Sequence, residues 1–86
     1  MPRYAWKLGG EEADKQYASL PGDTRRLVDQ RIEELRENPT GNPGREHDAQ
    51  YDLHTIPIGD DKGFIVYAVV ESARLVTLYR FTPGLD

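Results

Sequence analysis

The chain has 86 residues, no cysteine and a formal net charge of −4 at pH 7. This length predicts one domain over residues 1–86, and the lack of cysteine excludes a disulfide framework and a thiolate metal site. No apolar run reaches the roughly 20 residues that a membrane-spanning helix needs, and the start of the chain lacks the apolar core of a secretory signal. We therefore expect a cytoplasmic protein without a membrane partner, and the acidic balance argues against indiscriminate binding to nucleic acid.

A short strand and a first helix are predicted at the start of the chain. Aromatic and aliphatic side chains alternate with smaller or charged ones over Tyr4–Leu8, and this period of two indicates a strand. After Gly9 and Gly10, a helix is predicted from Glu11 to Leu20, where Pro21 and Gly22 end it. Its apolar stripe comprises Ala13, Tyr17 and Leu20.

The second helix has the clearest periodicity of the sequence. We expect Asp23 or Thr24 to cap its N-terminus, and Asn38-Pro39 to end it. One face is apolar and the others are charged with both signs; the apolar residues are Leu27, Val28, Ile32 and Leu35. Residues 38–50 follow as a loop without a regular element, because they contain two prolines and two glycines. A loop of this length is either mobile or part of a site.

Three consecutive strands are predicted in the last third of the chain: Tyr51–Ile58, Gly63–Val70 and Arg74–Phe81. By alternation, Asp52 and His54 share one face of the first of these strands. Pro57 places an edge or an end there, because proline cannot donate a hydrogen bond to a neighbouring strand. The residues from Gly59 to Gly63 predict a hairpin turn.

The other two strands are predicted to form the middle and the far side of this meander. Gly63–Val70 is almost wholly apolar, so we expect a central strand covered on both faces. In the last strand, alternation places Tyr79 and Phe81 on the face opposite Arg80.

These elements predict an α+β fold with a short N-terminal strand, a two-helix hairpin and then a three-stranded antiparallel meander, in the order β-α-α-β-β-β. The two helices can cover only one face of the sheet. The other face must meet solvent, a ligand or a partner, and we expect the function to lie on that uncovered face.

This layout resembles the RelE/ParE superfamily of toxins from type II toxin–antitoxin pairs, over nearly the whole chain. The helical phrase from Ala13 to Pro39 is similar to the helical hairpin of that family. Tyr51–His54 resembles its second strand, Gly63–Val69 its central strand and Val76–Phe81 its last strand. The family pattern usually has a lysine where this chain has Asp52, and an arginine where it has Phe64.

The resemblance implies a cytoplasmic toxin whose partner is a cognate antitoxin protein. RelE-like members cut messenger RNA on the ribosome, so the first hypothesis is a metal-independent endoribonuclease that inhibits translation. ParE-like members act on DNA gyrase without nuclease activity, and the acidic charge fits a protein target of that kind. A third hypothesis is a catalytically degenerate member that only binds an antitoxin peptide. Sequence preference, antitoxin identity and oligomeric state stay open.

Metal-free RNA cleavage requires a base for the 2′-hydroxyl, an acid for the leaving oxygen and cations for the phosphate. The candidate catalytic residues are His54, which titrates near neutral pH, and Arg80, whose planar guanidinium can clamp a phosphate. The candidate substrate-binding residues are two cations and two aromatic side chains that could stack on bases: Lys62, Arg74, Tyr79 and Tyr67.

Structural roles compete with each of these assignments. A strand histidine is commonly a structural residue, Tyr67 fits a core position, and Arg80 could pair with Asp52. His47 and Asp48, together with His54 or Asp52, match no established spacing of metal ligands, so we expect no metal and no cofactor.

Overall fold

The sheet and its two helices are seen in a computed structural model, which describes residues 3–41, 44–59 and 62–83. In chain order the elements are β1 (Ala5–Leu8), α1 (Glu11–Ala18), α2 (Gly22–Glu37), β2 (Glu46–Asp48), β3 (Leu53–Pro57), β4 (Gly63–Val70), a single 3₁₀ turn (Glu71–Ala73) and β5 (Leu75–Pro83). None of the helices in these described residues is long and apolar enough to cross a membrane.

The sheet has five strands in the order β1-β5-β4-β3-β2. β3, β4 and β5 form the predicted antiparallel meander, and β1 lies parallel to β5. The prediction that residues 38–50 contain no regular element is wrong, because Glu46–Asp48 form β2 and pair antiparallel with β3. This strand has only three residues, all of them exposed, so it shows no hydrophobic period.

Both helices pack on one face of the sheet, which we call the helix face. The core between them contains Val28, Ile32 and Leu35 of α2, and Ile65, Val76 and Leu78 of the sheet. The predicted apolar face of α2 is therefore confirmed. The predicted cap is wrong: α2 begins at Gly22 after Pro21, and no side chain caps it.

The other face of the sheet, which we call the open face, has no helix over it in the described residues. Phe64 and Val70 of the central strand are exposed there. The central position of β4 is confirmed, but the expectation that it is covered on both faces is wrong, because the two α-helices of the described residues both lie on the helix face.

A β-bulge in β5 changes which side chains face solvent. Val66 pairs with Arg80, but the next residue, Tyr67, pairs with Leu78, so Tyr79 is an extra residue without an opposite partner. The prediction that Tyr79 and Phe81 share a face is therefore wrong. Phe81 is buried in the core, and its backbone N–H donates to Gln16 Oε1 of α1 at 2.8 Å.

The C-terminal end of β3 and the hairpin that follows agree with the sequence, but β3 begins at Leu53 and not at the predicted Tyr51. β3 ends at Pro57, beyond the reach of the short β2. The turn after it is closed by hydrogen bonds from the Ile58 N–H to the Gly63 carbonyl and from the Lys62 N–H to the Gly59 carbonyl. Asp60 and Asp61, in the middle of the predicted turn, lie outside the described residues.

Candidate functional site

The open face presents an apolar strip along β4 with Arg80 beside it. Phe64 is 50% exposed and Tyr79 is 44% exposed. Arg80 is exposed and pairs across the ladder with Val66, whose side chain lies on this face. The expectation of an uncovered, partly apolar sheet face is thus confirmed.

His54 does not belong to this face. It pairs with Tyr67, and Tyr67 pairs with Leu78, so all three point to the helix face. Only 6% of His54 is exposed. His54 and Arg80 therefore lie on opposite faces of the sheet, and the prediction that they form one catalytic pair is not supported by their positions.

The two other predicted cations are also apart from each other. Lys62 lies in the β3–β4 turn, where its Nζ is 3.9 Å from Asp23 Oδ2 at the start of α2. Arg74 precedes β5 in the left-handed backbone conformation, with φ of 47°. Arg74 and Arg80 are six residues apart along one strand, which corresponds to roughly 20 Å. Any phosphate-binding roles of these cations stay predictions, and they do not form one site.

The two predicted stacking residues have different surroundings. Tyr67 is fully buried, which agrees with its reading as a core residue. Tyr79 lies against the backbone of Gly9, where an added Cβ would be 2.6 Å from Tyr79 Cδ1. Glycine is thus required at position 9 for this close approach, and the exposed ring of Tyr79 keeps one accessible surface.

A second group of functional side chains meets at the β2 edge of the sheet. We call it the edge cluster and define it as Arg45, His47, Asp52, His54 and Tyr67. The β-ladder fixes the order of three of them, because His47 pairs with His54 and His54 pairs with Tyr67. Their rings stack, with centroids 4.4 Å apart for the two histidines and 5.2 Å apart for His54 and Tyr67.

Hydrogen bonds fix the orientation of both histidines. Arg45 Nη1 lies 3.0 Å from His54 Nδ1, and His47 Nε2 lies 2.8 Å from Asp52 Oδ1. A guanidinium can only donate and an ionised carboxylate can only accept. In the neutral rings, His54 Nδ1 is therefore an acceptor, whereas His47 Nε2 carries its proton and donates to Asp52.

Burial and neighbouring charge act on His54 in the same direction. Desolvation lowers the pKa of His54 below its ordinary value of 6.5, and the nearby His47 and Arg45 lower this pKa further. Asp52 opposes the shift. His54 is consequently neutral at pH 7, which fits its acceptor role toward Arg45.

Asp52 is not part of a strand, contrary to the prediction that it shares a strand face with His54. It lies in the turn of residues 49–52 between β2 and β3, in the left-handed backbone conformation with φ of 53°. Asp and Asn tolerate this conformation better than most residues. The turn directs the carboxylate back to β2, which is why it reaches His47.

Tyr67 anchors the cluster to the end of α2. Its buried hydroxyl donates to the carbonyl of Pro39 at 2.6 Å. Burial raises the pKa of Tyr67 to about 12, so the phenol stays neutral and keeps donating. The inner end of the ring stack is therefore held in place by Tyr67, while His47 at its outer end is 40% exposed.

Three members of the cluster also offer atoms of the kind that bind metals. His47, Asp52 and His54 place one such atom each within 4.8 Å of one another. The ring planes of the two histidines are 14° from parallel, and Arg45 donates to His54. Lone pairs of stacked rings do not converge on one point, and a guanidinium disfavours a nearby cation. The arrangement fits hydrogen bonding better than metal coordination, and we assign no metal to it.

Sequence reasoning named His54 and Tyr67 but missed the roles of Arg45 and Asp52, and it considered His47 only as a metal ligand. The missed signal is a hairpin: Glu46–Asp48 and the start of β3 are joined by four residues, a common hairpin length. A hairpin with this turn sets His47 opposite His54.

The fold matches solved structures of RelE toxins over nearly the whole chain. The isolated E. coli RelE toxin is 18% identical, with a TM-score of 0.81 over 96% of this chain and 86% of that chain. A chain of the RelE–RelB complex from Pyrococcus horikoshii OT3 is 17% identical, with a TM-score of 0.74 over 94% of each chain. A chain of the RelBE2 toxin–antitoxin complex from Mycobacterium tuberculosis is 14% identical, with a TM-score of 0.77 over 96% of this chain and 99% of that chain.

No protein-family model and no curated protein matches the sequence. The chain therefore has the α+β fold of the RelE toxins, and at these identities the likeness establishes the fold alone.

Proposed function

We propose that this chain is the toxin component of a bacterial type II toxin–antitoxin pair and acts in the cytoplasm. The observation that carries the proposal is the match to RelE toxins along nearly the full length of both chains. It covers 94–96% of this chain and 86–94% of those chains, rather than one common motif. The match supports a shared class of function more strongly than a resemblance of separate segments would.

The partner in this proposal is a cognate antitoxin. Two of the three similar structures are complexes with an antitoxin. The exposed apolar side chains of this chain, Phe64, Val70 and Tyr79 among them, are those that a partner segment would shield. An antitoxin can bind such a protein as an amphipathic helix or as an added edge strand.

The proposed activity is metal-independent cleavage of messenger RNA on the ribosome. Two imidazoles and a guanidinium lie in contact at the edge cluster, and they supply the types of group that such cleavage needs. Arg80 and Tyr79 on the open face add a cation and a stacking surface for the message.

Inducible expression tests this function directly. Induction of the chain alone should arrest growth, and co-expression of the proposed cognate antitoxin should restore growth. Primer extension on abundant transcripts should show breaks that appear on induction and are absent with the antitoxin. Growth arrest with intact transcripts would contradict RNA as the target.

A gyrase-binding, ParE-like toxin is the second candidate. The net charge of −4 and the exposed apolar strip favour a protein target over RNA. A supercoiling assay with purified gyrase decides between the two, since this candidate requires inhibition at micromolar toxin. If induction changes neither growth nor transcripts, the remaining role is antitoxin binding by a catalytically degenerate member.

A further inference from the structure

We propose that the edge cluster, and not the open face, is where RNA is cleaved, with His47 as the general base and Asp52 as the residue that positions it. This inference rests on the proposed ribonuclease function and assigns that function a site. The site combines an exposed imidazole, an exposed carboxylate hydrogen-bonded to it and two further hydrogen-bond donors, all within the β2–β3 hairpin and the residue before it.

His47 has the geometry of a base. Its Nε2–H donates to Asp52, so the lone pair of the neutral ring is on Nδ1. A carboxylate that holds one ring nitrogen fixes the tautomer and stabilises the imidazolium that forms when the other nitrogen takes a proton. His47 lies on the outermost strand with 40% of its side chain exposed, so a single-stranded RNA can reach it.

His54 has a different role because its Nδ1 accepts from Arg45. The neutral ring then carries its proton on Nε2, and it can donate a hydrogen bond but cannot accept a proton at Nδ1 without losing Arg45. This bond holds the guanidinium of Arg45 beside the two histidines. Together, the Nε2–H of His54 and the remaining N–H groups of Arg45 can stabilise the negative charge that develops on a phosphate.

These groups and water account for every bond and proton that changes in the reaction. His47 Nδ1 takes the proton from the 2′-hydroxyl, and the 2′-oxygen forms a bond to the adjacent phosphorus. The bond from phosphorus to the 5′-oxygen breaks, the 5′-oxygen takes a proton from water, and His47 returns its proton to the hydroxide that results. The products are a 2′,3′-cyclic phosphate and a 5′-hydroxyl.

The test uses the full chain and purified ribosomes carrying a short message. His47→Ala should lower the cleavage rate about 10²- to 10⁴-fold, the usual contribution of a general base. Added imidazole should restore part of the rate, because the vacated position is open to solvent. Glu46→Gln is the matched control: Glu46 is exposed on the same strand but points to the other face, and the rate should stay within about threefold of wild type.

Asp52→Asn tests the positioning role. Asparagine also tolerates the left-handed conformation at this position, so the turn is kept and only the charge is lost. We expect kcat to fall at least about tenfold with KM unchanged, because the proposed role of Asp52 is to orient His47 and not to bind the message. Thermal denaturation of each variant checks that the fold is intact.

Each outcome decides the proposal. A message with a 2′-O-methyl group at the mapped cut should resist wild-type cleavage, and a chelator should change nothing. Equal rates for wild type and folded His47→Ala overturn the site while the proposed function stands. An inactive, folded His47→Ala that imidazole does not restore assigns His47 a structural role, and loss of activity with the chelator favours a metal route. No cleavage by wild type overturns both the function and the site.

Discussion

The two faces of this sheet carry different kinds of functional groups. The open face offers Phe64, Tyr79 and Arg80, which are exposed and separated, and it suits recognition over a wide area. The edge cluster offers His47, His54 and Arg45, which are in direct contact and partly buried. Acid–base chemistry needs oriented groups at short distances, whereas binding tolerates spacing. The open face is therefore suited to recognition, and the edge cluster is suited to chemistry.

The largest expected effect compares one arginine from each region. If the edge cluster is the cleavage site, Arg45→Ala should lower the cleavage rate about 10²- to 10³-fold, because it removes a donor proposed to stabilise the charge on the phosphate. Arg80→Ala should lower the rate at most about tenfold, and mainly through KM, as expected for a residue that only binds substrate. Single-turnover rates on programmed ribosomes measure both. A larger effect at Arg80 than at Arg45 would indicate that cleavage takes place on the open face.

The next effect concerns the anchor of the cluster. Tyr67→Phe should destabilise the protein by about 1–3 kcal/mol, because it leaves the buried Pro39 carbonyl without its donor. Tyr79→Phe is the control on the open face and should change the free energy of unfolding by at most about 0.5 kcal/mol. Urea denaturation measures both. Equal effects would show that the anchoring bond contributes little to stability.

A smaller effect is the acid sensitivity of the cluster. Burial lowers the pKa of His54, so the unfolded chain binds this proton first as the pH falls. Stability from the neutral ring should be complete above about pH 6.5 and should fall between this value and the lower pKa of the folded state. The groups that face His54 are His47, Arg45, Asp52 and the Tyr67 ring.

The measurement is the free energy of unfolding in urea at a series of pH values from 7.5 down to 5. His54→Gln should reduce the loss of stability on acidification, since glutamine does not titrate. An unchanged pH dependence in this variant would assign the acid sensitivity to other groups.

The smallest expected effect on stability belongs to the apolar strip. Phe64→Ser should cost at most about 1 kcal/mol, because half of the side chain is already exposed. The same variant should weaken binding of the antitoxin if the strip is its binding surface, which isothermal titration with the purified antitoxin measures. Unchanged affinity would place the antitoxin on another surface, such as the edge strands.

Periodicity predicted the parts of the fold that bury a continuous face. The apolar stripe of α2, the alternation in β1 and the apolar run of β4 reflect burial, so both helices, the meander and the open face could be predicted. β2 could not, because its three residues are all exposed and it exists through pairing with β3. The predicted cap of α2 was wrong because the helix begins earlier, at Gly22 after Pro21, so Asp23 lies inside the first turn, where its Oδ1 accepts from the Thr24 N–H.

The site was harder to predict for two local reasons. One extra residue, Tyr79, reverses the alternation in β5 and moves Phe81 into the core. The left-handed turn at Asp52 removes this residue from the strand and directs it to His47. Both features depend on backbone geometry rather than residue type. The sequence therefore placed His54 and Arg80 correctly on the sheet. It could not show that His54 lies on the helix face and Arg80 on the open face.

The parallel pairing of β1 with β5 has a consequence for how the molecule is made. β1 has no neighbour in the described sheet other than β5, so residues 5–8 cannot pair until residues 75–78 have been synthesised. Until then, β1 and its aromatic side chains have no strand to pair with, and the helices lack part of the sheet surface on which they pack. Completion of the sheet in the nascent chain is therefore delayed until β5 has been made, so the pairing of β1 with β5 is a late, non-local step of folding.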